Sequence, residues 1–188
     1  MEKKEYEAWF VSKETRMLLT KECLDFYYRE SEKKLSDLIN TSHIITQRAY
    51  RLCGMLLTIF IALTGVICSQ PSNKFIYLCA SIGIACTGLS LYIIFKRVLS
   101  PHEYWSVGKS PEGFNINGFI SYYNIVKRNA YINIVCDELY DIQRKIEKNT
   151  QANKKRAHDV SLAMNILMNG VYIIAVISII TAIINFFY

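Results

Sequence analysis

Three uncharged stretches interrupt an otherwise densely charged chain: residues 52–73, 75–95 and 160–188 contain no Asp, Glu, Lys or Arg. A bilayer core of about 30 Å requires about 20 apolar residues of helix, because each residue advances the helix by about 1.5 Å. Each stretch contains an apolar run of this length. The pattern therefore predicts an all-α membrane protein with a two-span helical hairpin over residues 52–96, a third C-terminal span over residues 163–188, and long cytoplasmic helices.

The third stretch has a second interpretation. Asn165, Asn169 and Asn185 would be unfavourable where they faced lipid, because a carboxamide finds no hydrogen-bond partner there. A buried amphipathic helix would avoid that cost. We favour the span, and the buried helix remains the alternative.

The first cytoplasmic region, residues 1–51, carries a regular helical repeat that continues into the first span. Every fourth and third position is apolar or small: Leu24, Tyr28, Ser31, Leu35, Leu38, Ser42, Ile45, Ala49 and Leu52. Such spacing is typical of a packed helical seam, and no proline or glycine interrupts it before Gly54. We expect one helix to run from the cytoplasm into the membrane, with its seam against either the second cytoplasmic helix or another copy of the chain.

The second cytoplasmic helix, predicted over residues 119–162, has a seam that changes from apolar to polar. Its positions are Ile132, Val135, Leu139, Ile142, Ile146, Asn149, Asn153, Arg156 and Val160. Polar groups in a helical seam reduce stability and usually specify register or line water. Asn149 in the seam, with Asn165 and Asn169 beyond it, is therefore predicted to line or gate an aqueous path.

The connections between helices are of two kinds. About five residues around Pro71 join the first two spans, which is enough only for a turn. Residues 97–118 hold the remaining two prolines and three glycines, and they are predicted to form an interfacial loop. Tyr104, Trp105 and Phe114 would anchor this loop, because amphipathic aromatic rings prefer the membrane interface.

Small residues predict the contact surface of the hairpin, because they let membrane helices approach closely. The candidates are Ser81, Ala85 and Gly88 on the second span, and Gly54 and Gly65 on the first.

The distribution of Lys and Arg predicts the orientation. Residues 1–51 hold ten, residues 96–161 hold eleven, and the turn between the first two spans holds Lys74 alone. Loops rich in Lys and Arg stay in the cytoplasm. We expect a multi-pass protein with a cytoplasmic N-terminus and with Tyr188 on the far side of the membrane.

Composition narrows the chemistry further. The net charge of +6 comes from basic residues interleaved with sixteen acids, so direct DNA binding is not expected, and clusters such as Lys96 and Arg97 are suited to anionic lipid. The six cysteines lack the paired spacing of metal ligands. We expect no metal, no cofactor, no structural disulfide and no catalytic residue, because nucleophile, phosphate-loop and zinc signatures are also absent from the sequence.

Two segments fit the Arg/Asn-x4-His pattern of HEPN-type ribonucleases, Arg97 with His102 and Asn153 with His158. Pro101 excludes a regular helix at the first. The second lies on a predicted helix, with Arg156 as a further polar partner. The alternatives are a solvated helix face beside the membrane, or a HEPN-like helix that serves packing or partner recognition.

Together with the hairpin, two segments carry a resemblance to a known family: DELYDIQRKIEKNTQANKKRAHDV over residues 137–160 and PHEYWSVGKSPEGF over residues 101–114. The chain resembles small membrane effectors of bacterial anti-phage loci, most of all the pore-forming membrane accessory proteins of type VI-B RNA-targeting CRISPR loci. A related resemblance is to two-span effectors of cyclic-oligonucleotide defence systems. The third apolar segment departs from a two-span pattern.

This resemblance implies a homo-oligomer in the bacterial inner membrane that opens or depolarises it during infection. Asn153 and His158 would match the divergent HEPN-like motif, and activity would be coupled to an RNA-guided nuclease or a cyclic-nucleotide signal. Three hypotheses follow: an oligomeric membrane pore or membrane-perturbing effector, a membrane-bound HEPN-type ribonuclease, and a membrane scaffold subunit of a cytoplasmic complex.

Overall fold

The computed structural model describes Arg16 and residues 18–69, 73–101, 104–106 and 130–187. Within these ranges most of the chain is helical and no residue forms a strand. The elements are α1, Lys21–Cys68, α2, Lys74–Ile93, a π-helical turn, Ile94–Val98, and α3, Ala130–Phe187. The all-α prediction is confirmed, and three helices are long and apolar enough to cross a membrane.

Helix α1 is continuous from the first cytoplasmic region through the first apolar stretch, as predicted. Thr20 caps its beginning, because the Thr20 hydroxyl accepts a hydrogen bond from the amide of Cys23 at 3.3 Å. Helix α3 likewise joins the second cytoplasmic helix and the third apolar stretch without a break. The predicted segments 1–15 and 119–129 lie outside the described residues.

Helix α2 is capped at its start and modified at its end. The side chain of Asn73 accepts a hydrogen bond from the amide of Phe75 at 2.9 Å. At the other end the amide of Leu99 donates to the carbonyl of Ile94 at 2.9 Å, which closes the wider π turn. Helical structure therefore continues through Val98, and the predicted loop boundary at residue 97 is corrected to residue 99.

The chain divides into two compact units. Unit 1 comprises Met1–Thr41 and Glu103–Ala152, and unit 2 comprises Ser42–His102 and Asn153–Tyr188. The core of unit 1 is formed by Leu24, Cys136 and Leu139 with their half-buried neighbours. At its edge, the Tyr131 hydroxyl donates to the Asp25 carboxylate, and this hydrogen bond raises the pKa of Tyr131.

The core of unit 2 combines all three helices. It consists of Ile45, Ala49, Cys53, Leu56, Leu91, Ile93, Ile94, Val98 and Ala163. Every position of the two predicted seams is buried or half-buried, which confirms both repeats. Within each unit the seam of α1 packs against α3 of the same chain. Of the two predicted partners, the second cytoplasmic helix and another copy of the chain, the structure shows the first.

The predicted contact surface of the hairpin is wrong except at Gly88, where an added Cβ atom would lie 3.6 Å from Phe60 Cε2 on α1. Ser81 and Ala85 are exposed, and a Cβ atom added at Gly54 or Gly65 would meet nothing within 4 Å. The face that packs is a neighbouring one, where a Cβ atom at Gly83 would lie 2.7 Å from Leu63 Cδ1. Small residues occur on more than one face of α2, so their spacing alone does not choose between the faces.

A second close approach joins α2 and α3. A Cβ atom at Gly170 would lie 2.7 Å from Cys86 Sγ and 2.9 Å from Cys86 Cβ. Nearby, the Ser90 hydroxyl donates to the carbonyl of Ala163 at 2.9 Å. These contacts pack α3 against the hairpin in unit 2.

The outer surface of unit 2 is apolar. Large side chains such as Ile61, Val171 and Ile179 are more than half exposed, at 68%, 56% and 62%. Proteins in water rarely expose contiguous apolar surface on this scale. The surface therefore suits a lipid environment around the apolar parts of α1, α2 and α3.

Candidate functional site

The most elaborate polar centre in unit 2 is built around the buried side chain of Arg156 on α3. Its Nε donates to the carbonyl of Val98 at 3.1 Å. Its Nη1 donates to the Ser42 hydroxyl at 2.9 Å, and its Nη2 donates to the Thr46 hydroxyl at 2.7 Å. A guanidinium has five N–H donors in a fixed plane, so one side chain joins α3 to α1 and to the π turn that follows α2.

Each partner of Arg156 is positioned by local structure. Val98 ends the π turn, where the carbonyls of a helix terminus lack partners within the helix and carry partial negative charge. Ser42 and Thr46 lie one turn apart on α1, and the Thr46 hydroxyl itself donates to the carbonyl of Ser42 at 3.0 Å. The guanidinium thus lies against oxygen acceptors that are held in place by their own helical segments.

A buried carboxylate lies one turn further along α3. Asp159 Oδ1 is 3.6 Å from Arg97 Nη1, and the Asp159 side chain is only 5% exposed. Among the described residues no donor reaches Asp159 Oδ2. Arg97 therefore supplies the main charge compensation for this carboxylate.

In unit 1 the corresponding polar contact is made by Asn149. Its Nδ2 donates to the carbonyl of Trp105 at 3.0 Å, and its Oδ1 accepts from the amide of Trp105 at 3.3 Å. Lys148 Nζ lies 4.0 Å from the centre of the Trp105 ring, and Lys145 Nζ donates to the carbonyl of Ser106 at 3.0 Å. These contacts fix residues 104–106 on α3, while the predicted anchor Phe114 lies outside the described residues.

The residues of the HEPN-like motif point in different directions. Asn153 and Arg156 are buried, whereas His158 is exposed. Five residues along a helix of 3.6 residues per turn separate Asn153 and His158 by about 140°. The structure does not bring this pair together, and His102 lies outside the described residues.

Asn165 and Asn169 are exposed on one face of α3, within its apolar part. Hydroxyl side chains elsewhere in the apolar helices form hydrogen bonds within their own helix. Each donates to the backbone carbonyl four residues earlier: Thr58, Thr64, Ser81, Ser178 and Thr181. The described residues provide no such partner for the side chains of Asn165 and Asn169. These two amides therefore require a partner beyond the described residues.

No protein family, curated protein or solved structure matches the chain. Sequence reasoning identified Arg156 and Asn149 but missed Thr46, Asp159 and Arg97 as parts of the polar contacts. The sequence does hint at a partner for Arg156, because the seam of α1 is interrupted by a residue with a hydroxyl group, Ser42.

Proposed function

We propose that this chain is a three-span membrane protein that assembles as a homo-oligomer and acts as a pore or membrane-perturbing effector in bacterial anti-phage defence. The observation that carries the proposal is the exposed pair Asn165 and Asn169 on an apolar helix face. Carboxamides are unfavourable towards lipid, so they favour contact with a second copy or with water.

The defence role rests on the resemblance of residues 101–114 and 137–160, with an RNA-guided nuclease or a cyclic-nucleotide signal as the expected trigger. The protein acts without catalysis in this proposal. The divergent orientations of Asn153 and His158 favour that choice, because paired action on one phosphate requires both side chains to reach it.

We further propose that the N-terminus lies in the cytoplasm and Tyr188 on the opposite side of the inner membrane. The excess of Lys and Arg in residues 1–51 and 96–161 supports this orientation. Reporter fusions at both ends test it: a periplasmic signal at the N-terminus would contradict the orientation, and a cytoplasmic signal at Tyr188 would remove the third span.

The test of the pore is the double change Asn165→Leu with Asn169→Leu. If the amides line water, vesicles containing the variant lose dye leakage while the oligomer remains intact, because an apolar constriction expels water. If the amides join helices, each lost hydrogen bond weakens the oligomer by about 0.6–2 kcal/mol, and crosslinking falls first.

The matched control is Thr58→Leu with Thr64→Leu on α1. These hydroxyls are also exposed, but they already donate to their own helix. We expect the control to keep both assembly and leakage. An Asn165→Leu, Asn169→Leu variant that assembles and leaks normally would contradict the proposed role of this face.

A further inference from the structure

We infer that unit 2 contains a binding site for a phosphate group, carried by the headgroup of an anionic phospholipid. The site is a cavity of about 420 Å³ lined by Lys96, Arg97, Ser100, Pro101 and Lys155. Its volume falls within the range of small-molecule sites, about 300–1,000 Å³. The inference goes beyond the pore proposal and rests only on its first part, that the apolar helices lie in a membrane.

The charge of the lining is the first argument. Three of the five lining residues are cations, contributed by the π turn after α2 and by α3. Unit 2 holds eight Lys and Arg residues and a single acid, Asp159, for a net charge of +7, whereas unit 1 holds fourteen and fifteen, for −1. The net positive charge of the chain is thus concentrated in the unit that contains this cavity.

The location of the cavity favours a lipid as the carrier of the phosphate. Lys96 and Arg97 lie in the last turn of helical structure that follows the apolar part of α2. A headgroup occupies this level when the apolar part of α2 is surrounded by acyl chains. Lys96 Nζ is held there by a 2.8 Å hydrogen bond to the Tyr92 hydroxyl.

Arg97 provides the geometry for phosphate recognition. Its side chain is 55% exposed, and its contact with Asp159 Oδ1 is a single one at 3.6 Å. The remaining face of the guanidinium can bind two phosphate oxygens in parallel. Because Asp159 competes for the same group, removal of its charge is expected to strengthen phosphate binding.

Native mass spectrometry of the full chain in a neutral detergent tests the site. The probes are short-chain phosphatidylglycerol, short-chain phosphatidylcholine and inorganic phosphate. We expect phosphatidylglycerol to bind most tightly, because choline is repelled by the three cations. Lys155→Gln should reduce the affinity for phosphatidylglycerol about fivefold, and so should Arg97→Gln. Each Lys or Arg beside an anionic lipid surface raises the affinity by about that factor.

The neighbouring Lys154→Gln is the matched control, because Lys154 is exposed on the same helix but does not line the cavity. It should leave the affinity unchanged, whereas Asp159→Asn should increase it. Equal losses in the Lys154→Gln and Lys155→Gln variants would overturn the inference in favour of diffuse attraction. Equal affinity for phosphatidylcholine and phosphatidylglycerol would also overturn the inference. Tighter binding of inorganic phosphate than of phosphatidylglycerol would contradict a phospholipid as the carrier of the phosphate.

Discussion

Unit 1 and unit 2 each bury a polar side chain of α3, but they hold it by different chemistry. In unit 1 the neutral amide of Asn149 makes two hydrogen bonds to one backbone residue, Trp105. In unit 2 the charged guanidinium of Arg156 needs three acceptors, supplied by Ser42, Thr46 and Val98. The difference follows from desolvation, because burying a charge is far more unfavourable than burying an amide.

The two units also differ in where their glycines lie. All the glycines among the described residues lie in unit 2, and two of them, Gly83 and Gly170, face side chains too close for an added Cβ atom. The core of unit 1 instead relies on larger groups such as Leu24 and Leu139. An apolar environment offers helices no hydrophobic gain from association, so close backbone packing becomes more important there.

The largest effect is expected when the buried charge of Arg156 is removed from unit 2. Arg156→Met deletes three hydrogen bonds that involve a charged donor, each worth about 1.5–3 kcal/mol. Because Met also avoids the desolvation cost of the buried charge, we expect a net loss of about 3 kcal/mol or more. Thermal unfolding in detergent measures it. Lys154→Met, an exposed cation of the same helix, should stay within about 0.5 kcal/mol of the parent; equal destabilisation by both changes would contradict the role of Arg156.

The next largest effect is expected from Gly170→Ala. Its new Cβ atom would clash with Cys86 Sγ and Cβ, and the second of these atoms cannot rotate away. Overpacking of this kind destabilises by about 1–3 kcal/mol. Gly65→Ala, where nothing lies within 4 Å, is the control and should be neutral or stabilising, since alanine favours helix. The same unfolding assay would refute the close contact if both variants behaved alike.

The smallest effect should come from unit 1. Asn149→Ala removes two neutral hydrogen bonds to Trp105, each worth about 0.5–1.5 kcal/mol. Residues 104–106 should then leave α3, and the fluorescence of Trp105 should shift to the red in a Trp9→Phe background. Gln151→Ala, an exposed position of the same helix, should leave the spectrum unchanged. A Trp105 spectrum unaffected by Asn149→Ala would show that the cation of Lys148 suffices to hold the ring.

Periodicity made much of the fold predictable. The seams of α1 and α3 recur with the helical period, and burial of residues such as Leu35 and Leu139 follows directly from that spacing. The face of the hairpin was not predictable in the same way. Ser81 and Ala85 are as small as Ala80 and Gly83, so the choice between the two faces depends on three-dimensional packing against Leu63.

The polar contacts show the same limit. Arg156 was evident as a polar interruption of an apolar seam, but its partners Ser42 and Thr46 are 114 and 110 positions away in sequence. The acceptor Val98 offers only its backbone carbonyl, which has no signature in a sequence. Asn149 was likewise identified without its partner, because Trp105 is bound through its backbone and not through its ring.

The most direct test of the central claim is the water accessibility of position 169. In a chain whose six native cysteines are replaced by alanine or serine, Asn169→Cys and Val171→Cys place a thiol on nearly opposite sides of α3, at about the same depth. Vesicles containing each variant are treated with a membrane-impermeant thiol reagent. A water-lined path predicts rapid modification of the cysteine at position 169 and little at position 171. Equal protection of both positions would contradict a water path along this face of α3.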